Sequence, residues 1–196
     1  MQTIPATSGS SRVQTAASNP TKAFLIVLGA TLLLALSAHV AIPLYFTPVP
    51  LTLQTFAVLL VGFMLGPQAG FAALVVYLAE GAVGLPVFNP HGPGGLAQLL
   101  GPTGGFLLSY PFAAAAAGAV YSRLRARISP FASAMAAGIP ATVIIFGFGA
   151  GWLAWLTHAG APVVWAMAVA PFLPGEVIKM AAAAGCVAAG QRWKKI

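Results

Sequence analysis

Acidic side chains are nearly absent from this chain, which has two of them against nine lysines and arginines. Charged residues make up 6% of the 196 positions and hydrophobic residues make up 59%. A chain with so little charge cannot expose most of its length to water, so the composition excludes a soluble globular protein and indicates an integral membrane protein. The formal charge of +7 does not indicate nucleic-acid binding, because the cations lie at the ends of apolar segments.

Cysteine is also scarce, and the features of common catalytic sites are missing. The one cysteine, Cys186, has no partner for an intramolecular disulfide and is expected to be a buried, inert thiol. No Cys, His and Asp cluster has metal-ligand spacing, and the "GPTGGF" stretch lacks the Lys-Ser/Thr of a phosphate-binding loop. A dyad of Ser109 with His91 or His158 lacks a Gly-x-Ser-x-Gly elbow. The sequence therefore predicts neither an enzyme nor a bound cofactor or metal.

Residues 1–22 contain no apolar core and are predicted to form a disordered cytoplasmic tail. The apolar run that begins at Ala23 is too long, and starts too late, for a cleaved signal peptide. Residues 23–196 are expected to form a single membrane domain.

Apolar segments predict an all-α domain of six transmembrane helices. They lie at about 23–42, 53–66, 69–84, 105–122, 133–157 and 162–190. The second and third are short for a hydrocarbon core about 30 Å thick. The cations at the segment ends are Arg12, Lys22, Arg123, Arg125, Arg127, Arg192, Lys194 and Lys195. With six spans these all lie on one side, so the positive-inside rule places both termini in the cytosol.

Two proline-containing stretches interrupt the apolar pattern. Residues 84–106, "GLPVFNPHGPGGLAQLLGPTGGF", contain eleven Gly or Pro, a density that predicts specific turns and excludes a helix. This loop joins the third and fourth spans on the outer face. Pro171 and Pro174 break the last segment, and a new helix is expected over about 172–191 with Pro174 in its first turn.

Both acidic residues, Glu80 and Glu176, fall within apolar segments, where an ionisable group requires a partner or a function. Lys179 follows Glu176 by three residues and shares its helix face. Lys179 is about 18 Å by helical rise from Gln191, too far for its side chain to reach the cytosolic interface. The pair is either a ligand site or a salt bridge that only fixes helix packing, and the near absence of other charge favours the ligand site. Glu80 is a secondary candidate.

Further polar side chains are expected at the same depth as this pair, although Thr or Gln in a membrane helix also serves to link helices. They are Thr52, Gln54, Thr55, Tyr77, Asn89, His91 and Gln98. His91 lies in the Gly/Pro-rich loop and is expected to be solvated.

Three segments together resemble the BioY family, the substrate-binding S components of biotin transporters of the energy-coupling factor (ECF) class. They are "FTPVPLTLQTFAVLLVGFMLGPQAG" (46–70), "YLAEGAVGLPVFNPHGPGGLAQLLGPTGGFLL" (77–108) and "PFLPGEVIKM" (171–180). The resemblance implies a six-helix membrane receptor that captures biotin in an occluded pocket under closing loops. Implied partners are a transmembrane coupling protein and two cytosolic ATPases. Independent function and homo-oligomers both remain open.

The resemblance also implies a site. The family pattern Pro-Gly-Asp-x-x-Lys has Glu176 in place of Asp here, with Lys179 at the matching spacing. Biotin would place its ureido ring near Glu176, Asn89 and Gln98, and its bicycle against Phe88 and Tyr77. The Gly-rich loop is expected to supply backbone N–H donors. The full predicted ligand-binding set is Thr52, Gln54, Tyr77, Phe88, Asn89, Gly94, Gly95, Gln98, Glu176 and Lys179.

Small residues on the first helix, Thr31-xxx-Ala35 and Ser37-xxx-Ala41, loosely match the coupling face of this class. The resemblance implies biotin and the transporter subunits as partners and the cytoplasmic membrane of a prokaryote as the location. The composition adds membrane lipid and excludes nucleic acid. The rival interpretations are a receptor for another small vitamin, a membrane-embedded enzyme and a structural helix-packing protein.

Overall fold

The computed structural model describes residues 19–193, and α-helices form most of this range. The elements are α1 (Pro20–His39), β1 (Ala41–Ile42), β2 (Leu51–Thr52), α2 (Gln54–Ala82), α3 (Gly95–Leu99), α4 (Gly104–Leu124), α5 (Pro130–Thr157), α6 (Ala161–Ala168) and α7 (Leu173–Trp193). Five of the described helices, α1, α2, α4, α5 and α7, are long and apolar enough to cross a membrane. The fold class is therefore all-α, with several candidate membrane spans.

Helix α1 begins before the first apolar residues. Asn19 caps it by accepting a hydrogen bond from the backbone N–H of Thr21 at 3.1 Å, and Pro20 occupies the first helical position. The last three residues of the predicted tail, 20–22, thus form the first turn of α1. Residues 1–18 of that tail lie outside the described residues.

Helix α2 folds back on itself at Gly66, which has φ 79° and ψ −178°. Glycine tolerates this positive φ, and Pro67 suits the first turn of the next helical stretch. The amide nitrogen of Gln54 donates to the hydroxyl of Tyr77 at 2.8 Å although 23 residues separate them. Residues 54–65 and 67–82 are therefore the first and second arms of an antiparallel hairpin.

Helix α4 packs into this hairpin through small residues. A Cβ on Gly118 would lie 2.6 Å from the carbonyl carbon of Gly66, and one on Gly62 would lie 2.5 Å from the carbonyl oxygen of Ala114. Glycine and alanine allow helix backbones to approach this closely. The hairpin and α4 consequently form the centre of the bundle, and α5 and α7 pack beside them.

Helix α1 packs against α2 at the edge of the bundle. Thr31 and Ser37, from the two small-residue stripes noted in the sequence, are 3% and 4% exposed. They are buried within this chain, whereas Ala35 and Ala41 of the same stripes are half-buried.

The loop end of the bundle is where residues 43–50, residues 83–103 and α6 meet the starts of α2, α4 and α7. Strands β1 and β2 pair antiparallel with Ala41 opposite Thr52, which closes the Pro-rich turn 43–50 over the start of α2. The long loop contains the short helix α3, contrary to the prediction of turns alone. Helix α3 occupies "GLAQL", the stretch between Pro93 and Pro102.

The predicted break near Pro171 is confirmed, because α6 ends at Ala168 and α7 begins at Leu173.

The opposite, basic end of the bundle contains the Gly66 bend, the cations Arg123, Arg125 and Arg127, and the end of α7. Cys186 on α7 is exposed rather than buried. Its helix is rich in Ala and Gly on every side, so the sequence did not show which side faces the core.

Candidate functional site

Glu176 and Lys179 form a buried ion pair in the first two turns of α7, with 4% and 9% of each residue exposed. The Nζ atom of Lys179 lies 2.6 Å from Oε1 of Glu176. Thr55, in the first turn of α2, donates its hydroxyl to the same Oε1 at 2.7 Å and accepts from the Lys179 ammonium at 3.2 Å. The three groups form a closed triangle that links α7 to α2.

The second carboxylate oxygen of Glu176, Oε2, is buried and has no hydrogen-bond partner in the described part of the chain. A buried charged oxygen without a donor is costly. Glu176 therefore has one oxygen held by the protein and one available to a donor from a ligand.

Glu176 lines an inner chamber of about 50 Å³ at the loop end. Six of the ten predicted ligand-binding residues line this chamber: Thr52, Gln54, Asn89, Gln98, Glu176 and Lys179. Thr55 also lines it, a residue that the sequence marked as polar but that was left out of the predicted set. The chamber thus gathers polar groups from α2, the long loop and α7.

The opposite wall of the inner chamber is largely apolar and comes from α4, α5 and the residue just before α7. Its side chains are Phe106, Leu107, Tyr110, Ile145, Phe146 and Phe172. Their positions depend on how α4 and α5 are rotated in the bundle, and general hydrophobicity in the sequence does not reveal that rotation. The chamber therefore offers one polar and one apolar side.

An outer chamber of about 290 Å³ adjoins the inner one, lies between the two loops, and has the exposed His91 at its edge. Both chambers are lined by Pro50, Asn89, Gln98 and Thr103. These four residues mark the boundary between the buried carboxylate and the loops.

Asn89 and Gln98 use their amide oxygens within the long loop. Oδ1 of Asn89 accepts from the backbone N–H of His91 at 3.1 Å, and Oε1 of Gln98 accepts from the backbone N–H of Gly94 at 3.1 Å. Across residues 19–193, neither amide nitrogen has a hydrogen-bond partner. The loop thus orients the two amides and leaves their N–H donors free at the chamber boundary.

Tyr77 and Phe88, the two predicted walls of the ligand, do not line the inner chamber. Tyr77 accepts from Gln54 and donates to the carbonyl of Val87 at 2.8 Å. Its ring meets Phe88 edge to face at 5.5 Å, and Phe88 lies against Gly81. Both rings therefore sit behind the chamber and attach the loop to the α2 hairpin.

Gly94 and Gly95 also lie away from the inner chamber, because they line a separate cavity of about 230 Å³ between the end of α1 and the long loop. Both have positive φ, 69° and 58°, which glycine adopts readily. The N–H of Gly94 is already bonded to Gln98. The Gly94 N–H thus serves the loop itself. Glu80, the secondary candidate, is half-buried on the second arm and does not line the chamber.

Comparison with known proteins gives consistent matches. The profile of the BioY family matches residues 9–195. The biotin transporter BioY of Rhodobacter capsulatus is 43% identical over 168 residues, covering 80% of this chain and 85% of that protein. The probable biotin transporter BioY of Pyrococcus horikoshii is 37% identical over 136 residues, covering 69% of this chain and 76% of that protein.

A solved structure is similar as well, that of the S component for biotin from an ECF-type ABC transporter. It superposes with a TM-score of 0.79 at 25% identity, over 88% of this chain and 92% of that chain.

Proposed function

Because this chain belongs to the BioY family, we propose that it captures biotin as the substrate-binding S component of an ECF-type transporter. The observation that carries the proposal is the Glu176 carboxylate, buried beside Lys179 with Oε2 unpartnered in the described range. A ligand that offers N–H donors would supply the hydrogen bond that Oε2 lacks.

Biotin has the required chemistry. Its ureido ring carries two N–H donors and one carbonyl acceptor, fused to an apolar bicycle with a carboxylate-bearing chain. One ureido N–H would donate to Oε2 of Glu176, while Thr55 and Lys179 hold Oε1. Such a bond to a charged acceptor contributes about 1.5 to 3 kcal/mol.

The free amide N–H groups of Asn89 and Gln98 would donate to the ureido carbonyl from the loop side. The bicycle would pack on the apolar wall around Phe106 and Phe146, and the acid chain would extend into the outer chamber. The ligand itself supplies every group that the site lacks, so the proposed binding requires no cofactor.

The inner chamber of about 50 Å³ is too small for such a ligand alone, since small-molecule sites usually enclose roughly 300 to 1,000 Å³. Biotin would therefore occupy both chambers, and the two loops would move apart to admit it. Residues 43–50 and 83–103 then act as covers over the site.

In the membrane, the two arms of α2 would count as separate spans and give six in total, as the sequence predicts. Four described cations, Lys22, Arg123, Arg125 and Arg127, lie at one end of the bundle, which favours cytosolic termini and an outward-facing site in a prokaryotic cytoplasmic membrane. The chain has no phosphate-binding loop, so energy for uptake would come from ATPase subunits through a coupling protein.

Isothermal titration of the purified protein in detergent tests this proposal, with biotin, thiamin and riboflavin as separate ligands. We expect one biotin per chain and no heat from the other two vitamins. Desthiobiotin, which keeps the ureido group, should also bind, whereas a preference for thiamin or riboflavin would refute the proposal.

A further inference from the structure

The cations at the basic end have no acidic side chain of their own chain nearby. The sequence contains two acidic residues, and Glu176 is paired with Lys179 at the loop end. Glu80 lies near the loop end of the second arm, away from the Gly66 bend. Negative charge that neutralises Arg125 and its neighbours must therefore come largely from other molecules.

A groove of about 270 Å³ opens at this basic end, between the first arm of α2, α4 and α7. Its walls are apolar and include Leu60, Phe63, Met64 and Val187. Met64 is 69% exposed, so the groove opens on the outer surface of the bundle rather than into its core. On a membrane-spanning bundle this surface faces lipid.

The rim of the groove is polar and comes from the exposed Arg125 and the half-buried Gln191, while Tyr121, which is 1% exposed, lines the groove inside the rim. Arg125 is the C-cap of α4, and its backbone N–H donates to the Tyr121 carbonyl at 3.0 Å, so the two residues share a helix face. The amide of Gln191 donates to the Tyr121 hydroxyl at 2.7 Å, which leaves the hydroxyl hydrogen of Tyr121 able to donate elsewhere. A guanidinium and a hydroxyl donor together suit a phosphate group.

We propose that this groove binds an anionic phospholipid, with its phosphate on Arg125 and Tyr121 and one acyl chain along the apolar walls. The polar rim lies toward the helix ends and the apolar walls lie deeper, which is the order of groups in a phospholipid. Basic pockets between membrane helices on the cytosolic side bind anionic head groups for this reason. The groove shares no lining residue with the biotin chambers.

Native mass spectrometry of the delipidated full chain tests the proposal, with dioleoylphosphatidylglycerol and dioleoylphosphatidylcholine added at equal concentrations. We expect the anionic lipid to be retained about five-fold better. This is the gain in affinity that one Lys or Arg contributes near an anionic lipid surface. Arg125→Gln should remove this preference. Arg127→Gln, which changes a cation that does not line the groove, should keep it.

A second variant tests the acyl-chain part of the site. Cys186 is exposed and lines the groove, so Cys186→Trp should fill it without disturbing the core. We expect this variant to retain less of both lipids while its helical circular dichroism and melting temperature stay unchanged. Three outcomes would each overturn the proposal. They are equal retention of both lipids by the unmodified chain, equal losses in the two arginine variants, and full lipid retention in Cys186→Trp. Displacement of the lipid by inorganic phosphate alone would also overturn it, since the acyl chain would then contribute nothing.

Discussion

Lys179 and Thr55 contact the same oxygen of Glu176, at 2.6 Å and 2.7 Å, and neither contacts Oε2. A salt bridge that only fixed helix packing would be expected to satisfy both carboxylate oxygens, because an unpaired buried acceptor is costly. The one-sided arrangement therefore favours a ligand site over a purely structural pair. It also identifies Glu176, Lys179 and Thr55 as the residues whose substitution tests the site.

Glu176→Gln should weaken biotin binding by about 1.5 to 3 kcal/mol, since the ligand loses its charged acceptor. Isothermal titration measures this as roughly a 10-fold to 150-fold rise in Kd. The matched control is Glu80→Gln, which changes the other acid outside the chamber and should leave the affinity as it was. An unchanged Kd in Glu176→Gln would remove the carboxylate from the ligand contacts.

Glu176→Asp restores the residue of the family pattern and keeps the charge. We expect its biotin affinity to stay much closer to that of the unmodified chain than that of Glu176→Gln. A loss as large as that of the amide variant would mean that side-chain length rather than charge limits binding.

Lys179→Met should destabilise the protein by about 3 to 5 kcal/mol, because it leaves a buried carboxylate without its cation. The melting temperature in detergent reports this change. The double variant Glu176→Gln with Lys179→Met should recover much of the lost stability, since no buried charge remains. Simple addition of the two single effects would show that the charges do not interact.

Thr55→Val keeps the side-chain shape and removes the hydroxyl that holds Oε1. We expect biotin binding to weaken by about 1 kcal/mol, since the carboxylate loses one of its two positioning contacts. Thr31→Val is the control, because Thr31 is also buried but bonds only to the carbonyl of Leu28. Equal Kd values for the two variants would exclude a positioning role for Thr55.

Gly118→Ala should lower stability by about 1 to 3 kcal/mol, because the new methyl group would overlap the backbone at Gly66. Gly147→Ala adds the same methyl group to α5, where no atom outside its chain neighbours and its own helix backbone lies within 4 Å. That control should match or slightly exceed the stability of the unmodified chain, since alanine favours helix. Similar melting temperatures for both variants would mean that α4 can move away from the hairpin.

The sequence predicted those parts of the site that depend on local spacing. Glu176 and Lys179 are three residues apart on one helix, so their pairing follows from helix geometry. The Gln54 to Tyr77 bond depends on how the hairpin closes at Gly66, which spacing alone does not reveal. The ring of Phe88 fills the space beside Gly81, a contact between separate segments that spacing alone also does not reveal. The exposure of Cys186 was missed because α7 is apolar on most sides and has no clear inner face.

The hairpin of α2 also affects the surrounding bilayer. Its arms of 12 and 16 residues rise only about 18 and 24 Å, against a hydrocarbon core of about 30 Å. Lipids beside the hairpin would have to compress to match it, at a cost that grows with each ångström of hydrophobic mismatch. The protein should therefore be more stable, and partition more readily, in bilayers of short-chain lipids than in thick ones. The glycine that turns the chain back toward the ligand thus also determines the membrane thickness that this receptor prefers.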